Sequence, residues 1–215
     1  PLPAALPMSR DRRAGCMDDG FGVHFRLLLP CPNARYGRGF SRDKFVPNPR
    51  QTSPLAMSMF EFLGRVMGLS MRQRLFLSVE FPPLVWKRLT GTRVTLTDLK
   101  EIDERAAARL ELVREAADAA VHASGSRGLT TRAAQEATFA SQCGGNTFTV
   151  VGLDGSLVEL VPGGAEQLVT WDSHAAFLAL AEQYHLHEID EQIEAIRRGL
   201  VAVVTERAPR LCSWH

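Results

Sequence analysis

"FEFLGRVMGLSMR", residues Phe60–Arg72, is an apolar run with glycines four apart at Gly64 and Gly68. That spacing can mark the contact face of a transmembrane helix pair, or let two helix backbones touch in a water-soluble fold. The membrane reading fails on length and charge. Met57 to Met71 is 15 residues, interrupted by Glu61 and Arg65, whereas a spanning helix wants about 20 apolar ones in a row. Glu61 and Arg65 are spaced i,i+4 for an exposed pair, and Phe60, Leu63 and Met67 line the opposite side. The pattern predicts a soluble helix over 56–72, with Ser53 as N-cap and Pro54 at the first helical position. Two glycines cost such a helix about 1 kcal/mol each relative to alanine, so a neighbouring element must approach their strip closely.

The bulk composition sets the outer bounds. With 215 residues, 45% hydrophobic and 23% charged, the chain can build a substantial core. A formal net charge of +1 gives no global field to attract nucleic acid or an anionic membrane. The first fifty residues carry nine Arg or Lys against four Asp, but scattered and without interleaved aromatics, so neither a nucleic-acid nor a membrane partner is expected. The four cysteines (Cys16, Cys31, Cys143, Cys212) form no C-x-x-C pair. They suit a reducing, cytoplasmic setting better than a disulfide framework or a zinc site. No secretory signal is legible at the start, and the missing initiator Met suggests a segment of something longer.

Along the chain, residues 1–24 read as irregular. A short strand over Phe25–Leu29 then leads into a proline-punctuated stretch that reads as a loop or short hairpin. Pro82-Pro83 can begin a short helix that Gly91 stops, and Thr97 is a natural N-cap, with Asp98 suited to the positive end of the helix it starts. Residues 104–122 are strongly helical. A Gly/Ser-rich linker and a possible short helix follow. Phe148–Val151 and Leu157–Val161 are two strands around the turn Leu153-Asp154-Gly155, hence a hairpin. Helices are expected over 173–184 and 188–204, with Asp172 or Ser173 capping the first. The fold class is α+β, mostly helical, with a hairpin in the second half.

The residues that could carry chemistry mostly have bland readings. His215 stands three residues from Cys212, but nothing orients it as a base, so packing or idle roles are expected for every cysteine. His185 and His187 are spaced i,i+2 and do not face each other on a helix, so with His174 they read as surface or helix-end histidines, not a metal site. The glycines of "GLDGSLVELVPGG" match no phosphate-binding pattern. The carboxylates of "EID" at 101–103 and "EIDEQIE" at 188–194 read as ordinary solvent faces. No cofactor is called for.

An ordered set of words is more specific. "LLLPCPNAR" (27–35), "SRDKFVPNP" (41–49), "SPLAMSMFEFLGRVMGLSMR" (53–72), "FPPLVWKRLTGTRVTLTDLKEID" (81–103), "VELVPGG" (158–164), "LHEIDEQIEAIRRGLVAVV" (186–204) and "LCSWH" (211–215) together resemble the N-terminal lobe of a HECT-type E3 ubiquitin ligase, nearest the HERC-like members. The resemblance covers 25–215. It implies a large helical subdomain over 25–89 and 185–215, and a small E2-binding subdomain over 90–184 that contains the hairpin. The partners implied are a ubiquitin-conjugating enzyme (E2), ubiquitin, and substrate proteins held through regions outside this chain.

Such ligases take ubiquitin from the E2 as a thioester on a C-lobe cysteine and pass it to a substrate lysine. This sequence stops at "SWH", before that lobe would be expected, and neither Cys143 nor Cys212 has the family's Thr-Cys-Phe context. No catalytic residue is therefore assigned. The alternative is an inactive module that holds E2 or ubiquitin. The resemblance also implies an apolar E2 groove: Leu110 aligns with it, Val113 is the next apolar residue on that face, Phe148 forms a wall, and Phe177 matches an aromatic position. Ala181 stands where a second aromatic would deepen the groove. Residues 1–24 and the Ala/Gly-rich insert over 116–145 depart from the family pattern.

Overall fold

The computed structural model describes residues 26–123 and 132–204. The readings of 1–24, of the linker over 124–131 and of 205–215 lie outside the described residues. Among the described residues, two short antiparallel ladders and eight helices follow in order. Strand β1 (Leu28–Pro30) pairs with β2 (Phe45–Pro47), with Leu29 opposite Val46. Between them lies α1 (Pro32–Tyr36), where the sequence suggested only a loop or short hairpin. A proline at its first position allows that single turn. Asn33, buried within it, carries the longer-range information: its side-chain Nδ2 donates to Phe40 O and Glu101 O at 3.1 Å each. Its Oδ1 accepts from the Glu104 amide at 2.8 Å.

Helix α2 (Pro54–Gln73) starts as its sequence dictates: Ser53 Oγ accepts from Ala56 N at 3.2 Å, and Pro54 occupies the first turn. The Glu61–Arg65 pair closes at 2.5 Å on the solvent side. The partner of the glycine strip is α8 (Asp190–Val203). A Cβ added to Gly64 would lie 1.9 Å from the Ile196 carbonyl oxygen, and one added to Gly199 would lie 1.8 Å from the Glu61 carbonyl oxygen. The two backbones touch, each through its own glycine. Phe60, Met67, Ile193 and Ile196 fill the flanks of the crossing. Sequence reasoning foresaw a close partner but not Gly199 as its reciprocal half.

Helix α3 (Pro83–Leu89) begins at Pro83 and ends before Gly91, whose φ is +72°. Helix α4 (Leu96–Ile102) corrects the cap expected at Thr97: the N-cap is Thr95. Asp98 accepts from the Thr95 amide at 2.9 Å and hydroxyl at 3.0 Å, and receives Lys87 Nζ at 2.6 Å. Burial alone would raise this carboxyl; the Lys87 and Thr95 hydrogen bonds outweigh it and hold the pKa below the usual range.

Helix α5 (Glu104–Ala123) runs beside α6 (Arg132–Cys143). Strands β3 (Thr149–Val151) and β4 (Leu157–Glu159) form the expected hairpin, with Val150 opposite Val158. Helix α7 (His174–His187) extends three residues past the expected Tyr184. Among the described residues, no helix is long and apolar enough to cross a membrane.

Candidate functional site

The region that the sequence singled out is built by α5, α7 and the β3–β4 hairpin. Asp103 closes the gap before α5 and accepts from the Ala106 amide at 3.0 Å. Its carboxyl is buried, which raises its pKa; hydrogen bonds from Ala106 and Arg105 partly offset this. From there Ala107, Leu110, Val113, Ala117 and Ala120 recur at helical spacing and turn one apolar stripe inward. Phe177 of α7 meets Phe148, just before β3, edge-to-face at 5.7 Å between centroids. The Arg109 guanidinium lies over the Phe177 ring at 5.4 Å and donates to Asn146 Oδ1 at 3.1 Å and Thr147 O at 3.2 Å. One arginine thus stitches α5, α7 and the approach to the hairpin together.

The four residues expected to line a groove are therefore brought into one cluster, but facing inward. Leu110, Val113, Phe148 and Phe177 are each no more than 3% exposed, and Ala181 is fully buried beside them. Outward-facing apolar side chains on the same elements are Leu112 and Val121 of α5, Val151 of β3 and Leu157 of β4.

The insert contributes more than extra chain. Phe139 of α6 is buried against Trp171 (6.3 Å) and His174 (5.6 Å), Glu136 Oε2 accepts from the Trp171 amide at 3.0 Å, and Cys143 donates to Leu112 O at 3.6 Å. This helix packs onto α5 and onto the start of α7. Neither role was legible in an Ala- and Gly-rich composition.

Three polar expectations are corrected by burial. His185 was expected at a surface or helix end; it sits in the last turn of α7 but is 6% exposed. Burial, with Arg109 nearby, pushes its pKa down to about 4, so the ring is neutral. Asp103 and Glu188 were expected on solvent faces, yet both face the interior.

Glu188 joins the hairpin to the α7–α8 junction. Its Oε1 accepts from the Leu153 amide at 2.8 Å and its carboxylate takes a hydrogen bond from the Tyr184 hydroxyl, while Oε2 is buried without a partner. From the other side Arg35 donates to Leu153 O, and Arg50 pairs with Asp154. Gly155, at φ +88°, makes the turn that these groups grip.

Burial, more than any charge, raises the Glu188 pKa from 4.5 to about 7; Asp154 and Asp103 add to the rise. Between those values the folded chain holds a proton that the unfolded chain has released. The stabilisation is thus complete below about pH 4.5 and is lost as pH rises through about 7. His185 acts oppositely at acid pH, because its folded pKa is lowered. A difference measurement isolates the glutamate. Glu188→Gln keeps an acceptor for Leu153, so its stability relative to wild type should rise between pH 5 and 8, by at most about 3 kcal/mol. Urea titrations across that range check this; parallel curves for the two proteins refute the burial.

Among the described residues, no group of three or more His, Cys, Asp or Glu could hold a metal ion. Cys31 and Cys143 are buried thiols. Burial first, then the Asp43 charge, pushes Cys31 up to about 12, and burial raises Cys143. Neither is in the accessible, electropositive setting that a thiolate nucleophile requires. Cys16 and Cys212 lie outside the described residues.

Comparison with known proteins matches residues 32–215 to a family model described as HECT-domain (ubiquitin-transferase). The chain is 33% identical over 179 residues to the E3 ubiquitin-protein ligase HERC2 of Mus musculus, and 32% over 179 residues to that of Homo sapiens. Each alignment covers 83% of this chain and 3% of the relative. The E3 ubiquitin-protein ligase TOM1 of Saccharomyces cerevisiae is 31% identical over 86 residues, covering 39% of this chain and 2% of its own length. The chain thus spans only a few per cent of these relatives.

Proposed function

The chain belongs to the HECT-domain (ubiquitin-transferase) family, and from that premise we propose that it is the N-lobe of such a ligase and recruits a ubiquitin-loaded E2. The observation that carries this reading is the family match over residues 32–215, a range that takes in α1 to α8. On this reading 25–89 and 185–215 form the large subdomain and 90–184 the E2-binding one. The transfer chemistry falls to a C-lobe cysteine outside residues 1–215, and substrate lysines are presented by other regions of a longer protein. The burial of Cys31 and Cys143 supports a positioning role for the described residues. Holding a charged E2 within reach of a mobile acceptor is catalysis by proximity, and it needs no acid or base here.

The E2 face takes a specific form. Leu110, Val113, Phe148 and Phe177 act as its rigid floor, and the E2 reads the outward side chains of the same elements, Leu112 first among them. An interface that must release its partner after each transfer needs only one or two such anchors. Leu112 is 42% exposed, so its replacement can report on binding without disturbing the core. Leu112→Arg should weaken E2 binding at least tenfold in calorimetry and leave the melting temperature within about 1 °C of wild type, as a surface substitution does. Unchanged affinity would remove α5 from the E2 face.

The division of labour has its own test. Mixed with ubiquitin-charged E2, the chain should bind it yet form no ubiquitin adduct sensitive to reducing agent. An adduct lost on substituting one of the four cysteines would overturn the positioning role.

A further inference from the structure

We propose that Glu188 is a proton-operated latch on the turn of the β3–β4 hairpin, residues 152–156. A proton on its carboxyl locks the turn against α1 and the loop after β2, and its ionisation lets the turn swing out more often. The outward apolar residues Val151 and Leu157 flank that turn and move with it.

Three grips hold the turn, and none belongs to the hairpin's own ladder. Glu188 Oε1 accepts from the Leu153 amide at 2.8 Å, Arg35 of α1 donates to the Leu153 carbonyl, and Arg50 pairs with Asp154. The approach is close at Gly152, where a Cβ would lie 2.7 Å from Glu188 Oε1 and 3.1 Å from the Tyr184 hydroxyl. Each grip reaches the turn from a distant part of the chain, so all of them can let go while β3 and β4 stay paired. The Leu153 side chain, 2% exposed, opposes opening at any pH. The open turn is therefore a minor state, and the latch sets its population.

A missing donor shows where the control lies. Glu188 Oε2 is buried with no hydrogen-bond partner. Four residues on, Gln192 Oε1 is a second buried acceptor without a donor, while Gln192 Nε2 donates to Pro49 O at 3.1 Å and Gln51 O at 3.4 Å, on either side of Arg50. The nearby cations are engaged elsewhere: Arg50 with Asp154, Arg35 with the Leu153 carbonyl, and Arg88 and His187 with Asp190. Tyr184 donates to Glu188, whereas the carboxylates of Asp154 on the turn and Asp103 ahead of α5 repel a negative charge there. His185 faces Arg109 of α5 instead. An ionised Glu188 thus keeps one oxygen in the interior with neither donor nor counter-ion, a costly arrangement for a buried charge. A proton removes the charge and turns the carboxyl into a donor. An open turn admits water to the same oxygen, so ionisation and opening favour each other. Burial accordingly raises the carboxyl from 4.5 to about 7 in the closed turn. Opening becomes easier as pH rises between those values, because the open state has released the proton that the closed state keeps.

The Leu153 amide, bonded to Glu188, reads the latch directly. The test follows its hydrogen exchange by NMR in the 215-residue chain from pH 5 to 7.5, with the intrinsic rate at each pH divided out. Leu153 exchange should rise about tenfold or more across that range. It should also stay faster than the slowest amides of α2, which report unfolding of the whole chain. In Glu188→Gln the rise should vanish. Arg50, with a side chain 67% exposed, can be replaced without breaking the core; Arg50→Ala should speed Leu153 exchange severalfold at pH 5 and retain the rise. A flat wild-type profile, a rise that survives in Glu188→Gln, or Arg50→Ala rates equal to wild type overturn the proposal. So does Leu153 exchange that matches the slowest α2 amides at every pH, because the turn would then open only with global unfolding.

Discussion

Replacing Gly64 by alanine lowers the stability of the chain by about 3 kcal/mol or more, although alanine is the better helix former by about 1 kcal/mol. The methyl would sit 1.9 Å from the carbonyl oxygen of Ile196. That oxygen belongs to helix backbone and cannot rotate aside as a side chain can. The helices must separate, and the separation loosens the buried contacts of Phe60, Met67, Ile193 and Ile196 on either side of the crossing. Gly199→Ala does the same from the other helix, with its Cβ 1.8 Å from the Glu61 oxygen. Once one methyl has parted the helices the second costs little, so the double variant falls well short of the sum. Gly68→Ala is milder, because its nearest neighbours, Leu200 O and Val203 Cβ, stand at 3.0 Å. Urea melts of the four variants give the ranking directly. A Gly64→Ala protein that melts at or above the wild-type midpoint would mean that the two backbones do not touch in solution.

Phe177→Ala costs about 3–5 kcal/mol, the range for removing a buried aromatic side chain. The ring is fully buried, it meets Phe148 edge-to-face at 5.7 Å, and the Arg109 guanidinium rests on its face. Its loss opens a cavity and takes the cover from a half-buried cation at one stroke. Thermal melts should show the loss, and Phe177→Leu should recover most of it by refilling the volume. The consequence for the E2 reading is practical: weaker E2 binding by Phe177→Ala reports on folding, whereas Leu112→Arg reports on the face. Should Phe177→Ala melt like wild type, the ring is exposed in solution, and the aromatic anchor returns to the contact surface.

The parts legible in the sequence share a physical origin. Ser53 and Pro54 start α2, Pro83 starts α3, and Gly155 turns the hairpin because each acts on backbone within a few residues of itself. The misses concern competition between equivalent local candidates, or distance. Thr95 and Thr97 are equally good caps in isolation; Thr95 wins because Asp98 lies three residues on and is also held by Lys87 from α3. His185, Asp103 and Glu188 look like surface residues in any local window. They are interior because α5, α7 and the hairpin close over them, which no periodicity records. The candidate E2 residues fared similarly: their grouping was legible through the ordered motifs, and their direction was not.

Taken alone, then, the sequence determined the α+β class, most element starts, that "FEFLGRVMGLSMR" is too short and too charged to cross a membrane, and the HECT-domain family, because local propensity and ordered motifs are properties of contiguous chain. Only the tertiary structure decided what touches the glycine strip and which way the apolar cluster of α5 and α7 faces. It alone showed that helix α6 packs on them and that α2, α3 and α8 together line an apolar groove. Each of these depends on contacts between residues far apart in the chain, where the free energy belongs to the pair and neither member announces it.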